Sequence, residues 1–293
     1  MNNLEYPSLY QVADATSIKA QAGFLLLVKS YLVSLILGSL LSVAGIESSD
    51  LAALAAFVFI VSIILSIVMF TRRSEDQWYR ARAIAESVKT STWRFMMKGA
   101  PYLDAPSLEQ VKKEFRNLLR SILVEHKDLA HEFGGLMSQS DQITQKMCEV
   151  RQMELRDRID FYSQWRIDEQ RKWYAKKSSD NKKDTNLWFF CMIAFQTIAV
   201  FLVIFRVAYP QFEMWPTEVF VVTAGAVLTW MQVKRFRELA SSYGLAAQEI
   251  GIIRGELDEV KTESEFIEFV KDSENAFSRE HTQWIARKNN PAG

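Results

Sequence analysis

Ser30, Ser34, Gly38 and Ser42 recur every four residues inside an otherwise apolar run. On a helix that spacing places all four on one face. Such a stripe suits two kinds of chemistry: small side chains let a second helix approach closely, and hydroxyls turned towards a shared axis line a water-filled passage. Ser62 and Ser66, in the next apolar run, pose the same pair of readings. Further on, Trp78, Arg82, Glu86, Lys89 and Trp93 fall at spacings of four, four, three and four. One helix face there alternates aromatic and charged groups. It is either a cytoplasmic gate or ligand face, or a plain helix surface on which Arg82 and Glu86 pair for a few tenths of a kcal/mol.

No constellation for catalysis or metal binding accompanies these residues. The chain has no Gly-rich phosphate loop, no paired cysteine ligands and no His-Glu metal spacing. His126 and His131 are five residues apart, off the spacing that would put both on one helical face, and His281 stands alone beside Glu280. Cys148 and Cys191 are far apart, so no disulfide framework is implied. Carboxylates are plentiful but fall on charged, solvated helices. No catalytic, cofactor-binding or metal-binding residue is expected, and no enzymatic activity.

The elements that position the two constellations are apolar runs. Leu51 to Phe70 is 20 residues without a charge, enough to cross the ~30 Å hydrocarbon layer at about 1.5 Å per residue. Phe24 to Ile46 carries one charge, Lys29, which can snorkel to the headgroups near one end. A polar turn, Glu47 to Asp50, joins these two runs, and Thr71-Arg-Arg73 follows them. The design returns in Leu187 to Phe205, a Pro-containing loop, and the shorter run Val219 to Val233 before Lys234-Arg-Phe-Arg237. This fourth run is short for a span; a re-entrant segment or buried helix is its alternative. A cleaved signal peptide is the alternative for the first run, which exceeds the length of an h-region.

The 293 residues are 49% hydrophobic and 24% charged, an average of two unlike parts: apolar runs and a strongly charged remainder. Net charge is zero, so no basic excess argues for nucleic acid as a partner. Lys19, Lys29, Arg72, Arg73, Lys176, Lys177, Lys182, Lys183, Lys234, Arg235 and Arg237 flank one set of run ends, whereas the two hairpin turns hold only Arg206. The positive-inside rule then sets both hairpins entering from the cytoplasm, with both termini cytoplasmic.

Outside the runs the pattern is helical. Leu9 to Gln21 reads as a short helix lying on the membrane or packing on a neighbour. The helix after Arg73 is expected to end near Gly99-Ala-Pro101, and Pro106-Ser107 to start another, with Ser107 and Gln110 as a capping box. Gly134-Gly135 and the polar residues after them mark a boundary. Gln142 to Lys177 lacks Pro and Gly and reads as one long charged helix. After the fourth run, Phe236 to Ile253 continues helically, and a last helix, Ser264 to Lys288, puts Phe266, Val270, Phe277 and Trp284 on one side. The predicted fold is an all-α membrane protein with four transmembrane helices in two hairpins and long cytoplasmic helices. It divides into 1–140, with spans at about 24–46 and 51–71, and 141–293, with spans at about 187–207 and 214–233. The halves repeat one plan, although Tyr79 to Glu86 matches Tyr243 to Glu249 only loosely.

The order of a short helix, a hairpin, then Trp78-Tyr-Arg-Ala-Arg-Ala-Ile-Ala-Glu-Ser-Val-Lys89 and Thr92-Trp-Arg94 resembles the SLATT family, the SMODS and SLOG-associating two-transmembrane effector domains. The second half resembles it again, through Phe161-Tyr-Ser-Gln-Trp-Arg-Ile, Gln170-Arg-Lys-Trp-Tyr174, Leu239-Ala-Ser-Ser-Tyr243 and Ser278-Arg-Glu-His-Thr-Gln-Trp284. The resemblance implies two tandem modules in a bacterial inner-membrane effector of a phage-defence or conflict system. Such an effector would form a homo-oligomer that opens a pore or disrupts the lipid bilayer on a signal. It implies a nucleotide-signal synthase or sensor as partner, with the signal supplied by another protein or bound by the cytoplasmic helices. It carries over no catalytic residue. A non-conducting scaffold that recruits a cytoplasmic enzyme is the alternative; a transporter fits less well, because the spans lack mid-membrane acidic residues and Gly/Pro-broken halves.

Overall fold

The computed structural model describes residues 5–72, 74–104, 107–129, 133, 141–212 and 214–289, with side chains described as far as Ser278 apart from that of Asp128. Arg73, Pro106, His131, the Gly134-Gly135 boundary and the side chain of Trp284 lie outside those residues. Every regular element among the described residues is helical. The chain forms two compact units, one from Met1–Gln21, Glu75–Tyr174 and Leu245–Gly293, the other from Ala22–Ser74 and Ala175–Gly244.

The second unit holds the apolar runs. Helix α1, Ser8–Ala44, is uninterrupted, so the short helix expected at its start and the first apolar run are one helix. No proline separates them, and Gly23 alone is too weak a breaker. A tight connection leads to α2, Ser49–Arg72. Gly45 makes it possible: a Cβ there would stand 2.8 Å from the backbone nitrogen of Ala52. Later come α7, Glu169–Ala208, and α8, Thr217–Lys234. Three helical stretches, within Ser8–Ala44, Ser49–Met96 and Leu155–Ala208, are long and apolar enough to cross a membrane. The fourth expected span, α8, has 18 residues, about 27 Å, and Glu218, Gln232 and Lys234 dilute its apolarity below that of the other three. Large apolar side chains stay exposed along α2 and α7, among them Phe57, Ile64, Phe70, Phe190 and Phe201. In water such rows would be a liability, and in lipid they cost nothing.

The first unit has an aromatic-rich core. It takes α3, Ser74–Met96; α4, Leu108–Glu125; α5, Gln145–Gln152; α6, Leu155–Tyr162; and α10, Glu263–Asn289, together with the start of α1 and the end of α9, Phe236–Glu256. Leu9, Tyr10 and Ala13 of α1 pack into this core, which settles the expected alternatives for that segment in favour of packing. Ser107 caps α4 by accepting from the backbone N–H of Gln110, as predicted, but the Gln110 side chain turns to Glu114 instead of closing the box. Val111, Phe115, Leu119 and Ile122 bury the α4 stripe.

Two departures from the sequence pattern concern backbone. The single long helix expected over Gln142 to Lys177 is broken at Met153-Glu154, both extended, and then widens into a π-helical turn at Ser163–Asp168. Arg235 stands in the left-handed region (φ 49°), ending α8 before α9 begins. Neither break is signalled by Pro or Gly.

Candidate functional site

The serine stripe is mostly a packing surface within the protomer. Ser34, Gly38 and Ser62 are buried, Ser30 is half-buried, and Ser42 and Ser66 are exposed. Gly38 lies against α2 so closely that a Cβ would meet the Phe59 ring at 2.7 Å. The hydroxyls of Ser34, Ser62 and Ser66 donate to the carbonyls of Tyr31, Phe59 and Ile63, three residues back, at 2.7 to 2.8 Å. Their protons are thus satisfied inside their own helices, which is how a hydroxyl is tolerated in lipid.

The second constellation faces inward along α3. Arg82 pairs with Glu86 at 2.6 Å, the expected intrahelical bridge, and also reaches Asp14 of α1 at 3.1 Å. Lys89 is half-buried, and burial lowers its pKa against the opposing pull of Glu86. Trp93 is fully buried and therefore part of the core, not of an open ligand face. Its indole N–H donates to the hydroxyl of Tyr6 at 3.0 Å. Trp78, at the other end of the row, is half-buried and stacks on Tyr79.

Beyond Trp93 lies a group of residues to which the sequence pattern gave no role, although Tyr162 and Arg166 fall within the family-like motif at 161–167. Arg166 and Glu274 form an ion pair at 2.6 Å, with side chains 2% and 0% exposed. Arg166 uses Nε as well, donating to Glu274 Oε1 at 2.8 Å, and the Tyr162 hydroxyl donates to the same oxygen at 2.9 Å. The carboxylate therefore accepts from both prongs of a guanidinium fork and from a phenol. Phe277 and Trp93 place rings 4.8 and 6.0 Å from the guanidinium carbon. Burial, then the adjoining carboxylate, pushes the Tyr162 phenol well above its usual range. Arg166 sits inside the π-helical turn, a geometry common where a helix must aim a side chain.

Two more buried arginines precede it in the chain. Arg151 donates to the carbonyls of Phe95, Tyr102 and Leu103 at 2.6, 2.9 and 3.1 Å, satisfying the C-terminal end of α3 and the loop after it. Arg158 donates to Met97 O at 3.2 Å and pairs with Glu263. The available signal was periodicity: 151, 158 and 166 are seven and eight apart, about two helical turns, in register with buried Met147, Val150 and Tyr162. In a stretch dense with charge of both signs, that register is easily read as a solvated face.

The arrangement offers no exposed nucleophile beside a base. Among the described residues no group of three His, Cys, Asp or Glu is placed to hold a metal. What it offers is a sealed polar network whose members must all be paired or pay a large penalty, so its packing has few alternatives.

The family of SMODS and SLOG-associating 2TM effector domains matches twice in tandem, its third type over residues 7–159 and its first type over residues 162–284. The chain belongs to the SLATT family. No curated protein and no solved structure matches it. Each SLATT module supplies helices to both compact units: the first gives α2 to one and α3 to the other, the second α8 and α10. A tandem of two-transmembrane effector domains with helices able to span a bilayer fits a membrane effector. The buried network crosses modules at Trp93: Arg166 and Glu274 both lie in the second, and the Trp93 ring, 6.0 Å from the guanidinium carbon, lies in the first.

Proposed function

We propose that this chain is a four-span effector of a bacterial inner membrane, with both termini cytoplasmic, that oligomerises and permeabilises the membrane when a signal reaches its helical unit. The observation that carries this reading is helical continuity. Helix α1 contributes Leu9, Tyr10 and Ala13 to the helical core and, without a break, the run from Phe24 onwards; α7 begins just after Arg166 and continues to Ala208. Repacking around the Arg166–Glu274 pair would act on segments that continue, as helix, into two spans. Exposed apolar rows on α2 and α7 give lipid or further copies a surface to cover. A nucleotide-signal synthase or a sensor protein is the partner class that the family description suggests.

A non-conducting scaffold is the second reading, and the internally satisfied serines favour it: Ser34, Ser62 and Ser66 have no proton left to offer a water column. Ion leakage from liposomes carrying the full chain, before and after addition of lysate from phage-infected host cells, separates the two. Leakage that depends on protein and lysate supports the effector. Tight liposomes at every protein density in both conditions move the assignment to the scaffold.

A further inference from the structure

Unit two carries a cluster that packing alone does not explain. Trp230 of α8 lies against Val28 and Leu32 of α1. Lys29 Nζ stands 5.3 Å from the centre of its ring and Lys234 Nζ 5.9 Å. Both ammoniums thus gather on one indole, although like charges repel. Neither has a carboxylate within 4 Å among the described residues; Asp184 attracts Lys234 only from further away, while Lys29 and Lys177 act on it as like charges. The indole N–H of Trp230 is buried and finds no acceptor among the described residues. Two ammoniums and an orphaned donor, with no acceptor between them, describe half of an anion site.

Depth identifies the anion. Trp188, edge-on to Trp230 at 6.4 Å, stands about 30 Å along α7 from its end at Ala208. Next to that end the rings of Tyr209, Phe212 and Trp215 form a chain of contacts at 6.2 to 6.5 Å. Two aromatic groups one hydrocarbon thickness apart mark two lipid interfaces. The lysine cluster sits at one of them, where Leu26 and Val33, a turn to either side of Lys29, and Leu187 and Phe190, flanking Trp188 along α7, are exposed.

We propose that Lys29, Lys234 and the Trp230 N–H bind the phosphate of an anionic phospholipid, whose acyl chains lie on the neighbouring apolar rows of α1 and α7. The site rests on the ability of these helices to span a bilayer and is independent of permeabilisation.

The test is native mass spectrometry of the full chain released from micelles doped with equal phosphatidylglycerol and phosphatidylcholine, and separately with inorganic phosphate. About thirtyfold preference for phosphatidylglycerol is expected from two interfacial lysines at about 1 kcal/mol each. K29Q/K234Q should abolish the preference, K29R/K234R should keep it, and W230F should weaken it severalfold while retaining the ring. K182Q/K183Q, removing as many charges from an exposed stretch, should leave it intact. Circular dichroism confirms that each variant is folded. Equal retention of both lipids by the unaltered chain, equal loss in the K182Q/K183Q control, or displacement of lipid by inorganic phosphate would each overturn the assignment. Leakage is not read, so a chain that never conducts can still pass this test.

Discussion

Arg166 and Glu274, 108 residues apart, share two hydrogen bonds inside the helical core, and neither side chain touches water. A buried pair of this kind adds little net stability over an apolar pair, yet breaking it is expensive. E274Q, which leaves the guanidinium charged and half-paired, should cost about 3–5 kcal/mol in chemical unfolding of the full chain in micelles. The paired replacement R166M/E274L should cost much less. Equal losses for both would show that the charge is not what matters.

Arg151 closes the end of α3 through three carbonyls, contacts that need a planar fork. R151K keeps the charge and loses the fork, so it should destabilise by about 1–3 kcal/mol through carbonyls left unsatisfied. Thermal melting followed by circular dichroism, compared with the exposed control K113R, reads the difference.

Two glycines of the first hairpin should respond differently to alanine. At Gly38 the obstacle is the outer edge of the Phe59 ring, which is 37% exposed and can swing aside. At Gly45 it is the backbone of Ala52, which cannot. G45A should therefore lower the unfolding midpoint in detergent clearly more than G38A, by roughly 1–3 kcal/mol against under 1.

Burial pushes the Tyr102 phenol up to about 12. Its folded pKa exceeds the unfolded one, so the folded chain holds a proton between about pH 10 and 12 that the unfolded chain has lost. The associated stability is complete below pH 10 and disappears as pH rises through that window. Y102F should flatten this part of the alkaline unfolding profile. Lys89, whose pKa is lowered by burial, contributes with the opposite sign: the unfolded chain holds its proton more tightly, so this contribution grows as pH rises towards 10.5. K89M should therefore raise stability at neutral pH and steepen the alkaline fall.

Three helices able to span a membrane were legible because lipid is a simple solvent: about 20 uncharged residues suffice, and Leu51 to Phe70 or Leu187 to Phe205 show that without reference to any other part of the chain. The Ser107 cap and the Arg82–Glu86 bridge were legible for the same reason, since each partner lies within four residues of the other. The tandem SLATT organisation was carried by order along the chain, which no folding is needed to read. The interior of the helical unit was different. Arg151, Arg158 and Arg166 look like surface residues until their acceptors arrive from Phe95, Met97 and Glu274, supplied by α3, the turn after it and α10. Trp93 looks like one member of an exposed row until Tyr6 and Tyr162 enclose it. A repeating pattern determines the period of a helix and where lipid can cover it. Which side of a charged helix is dry depends on whether distant segments bring enough acceptors to satisfy its cations, and only the tertiary structure decides that.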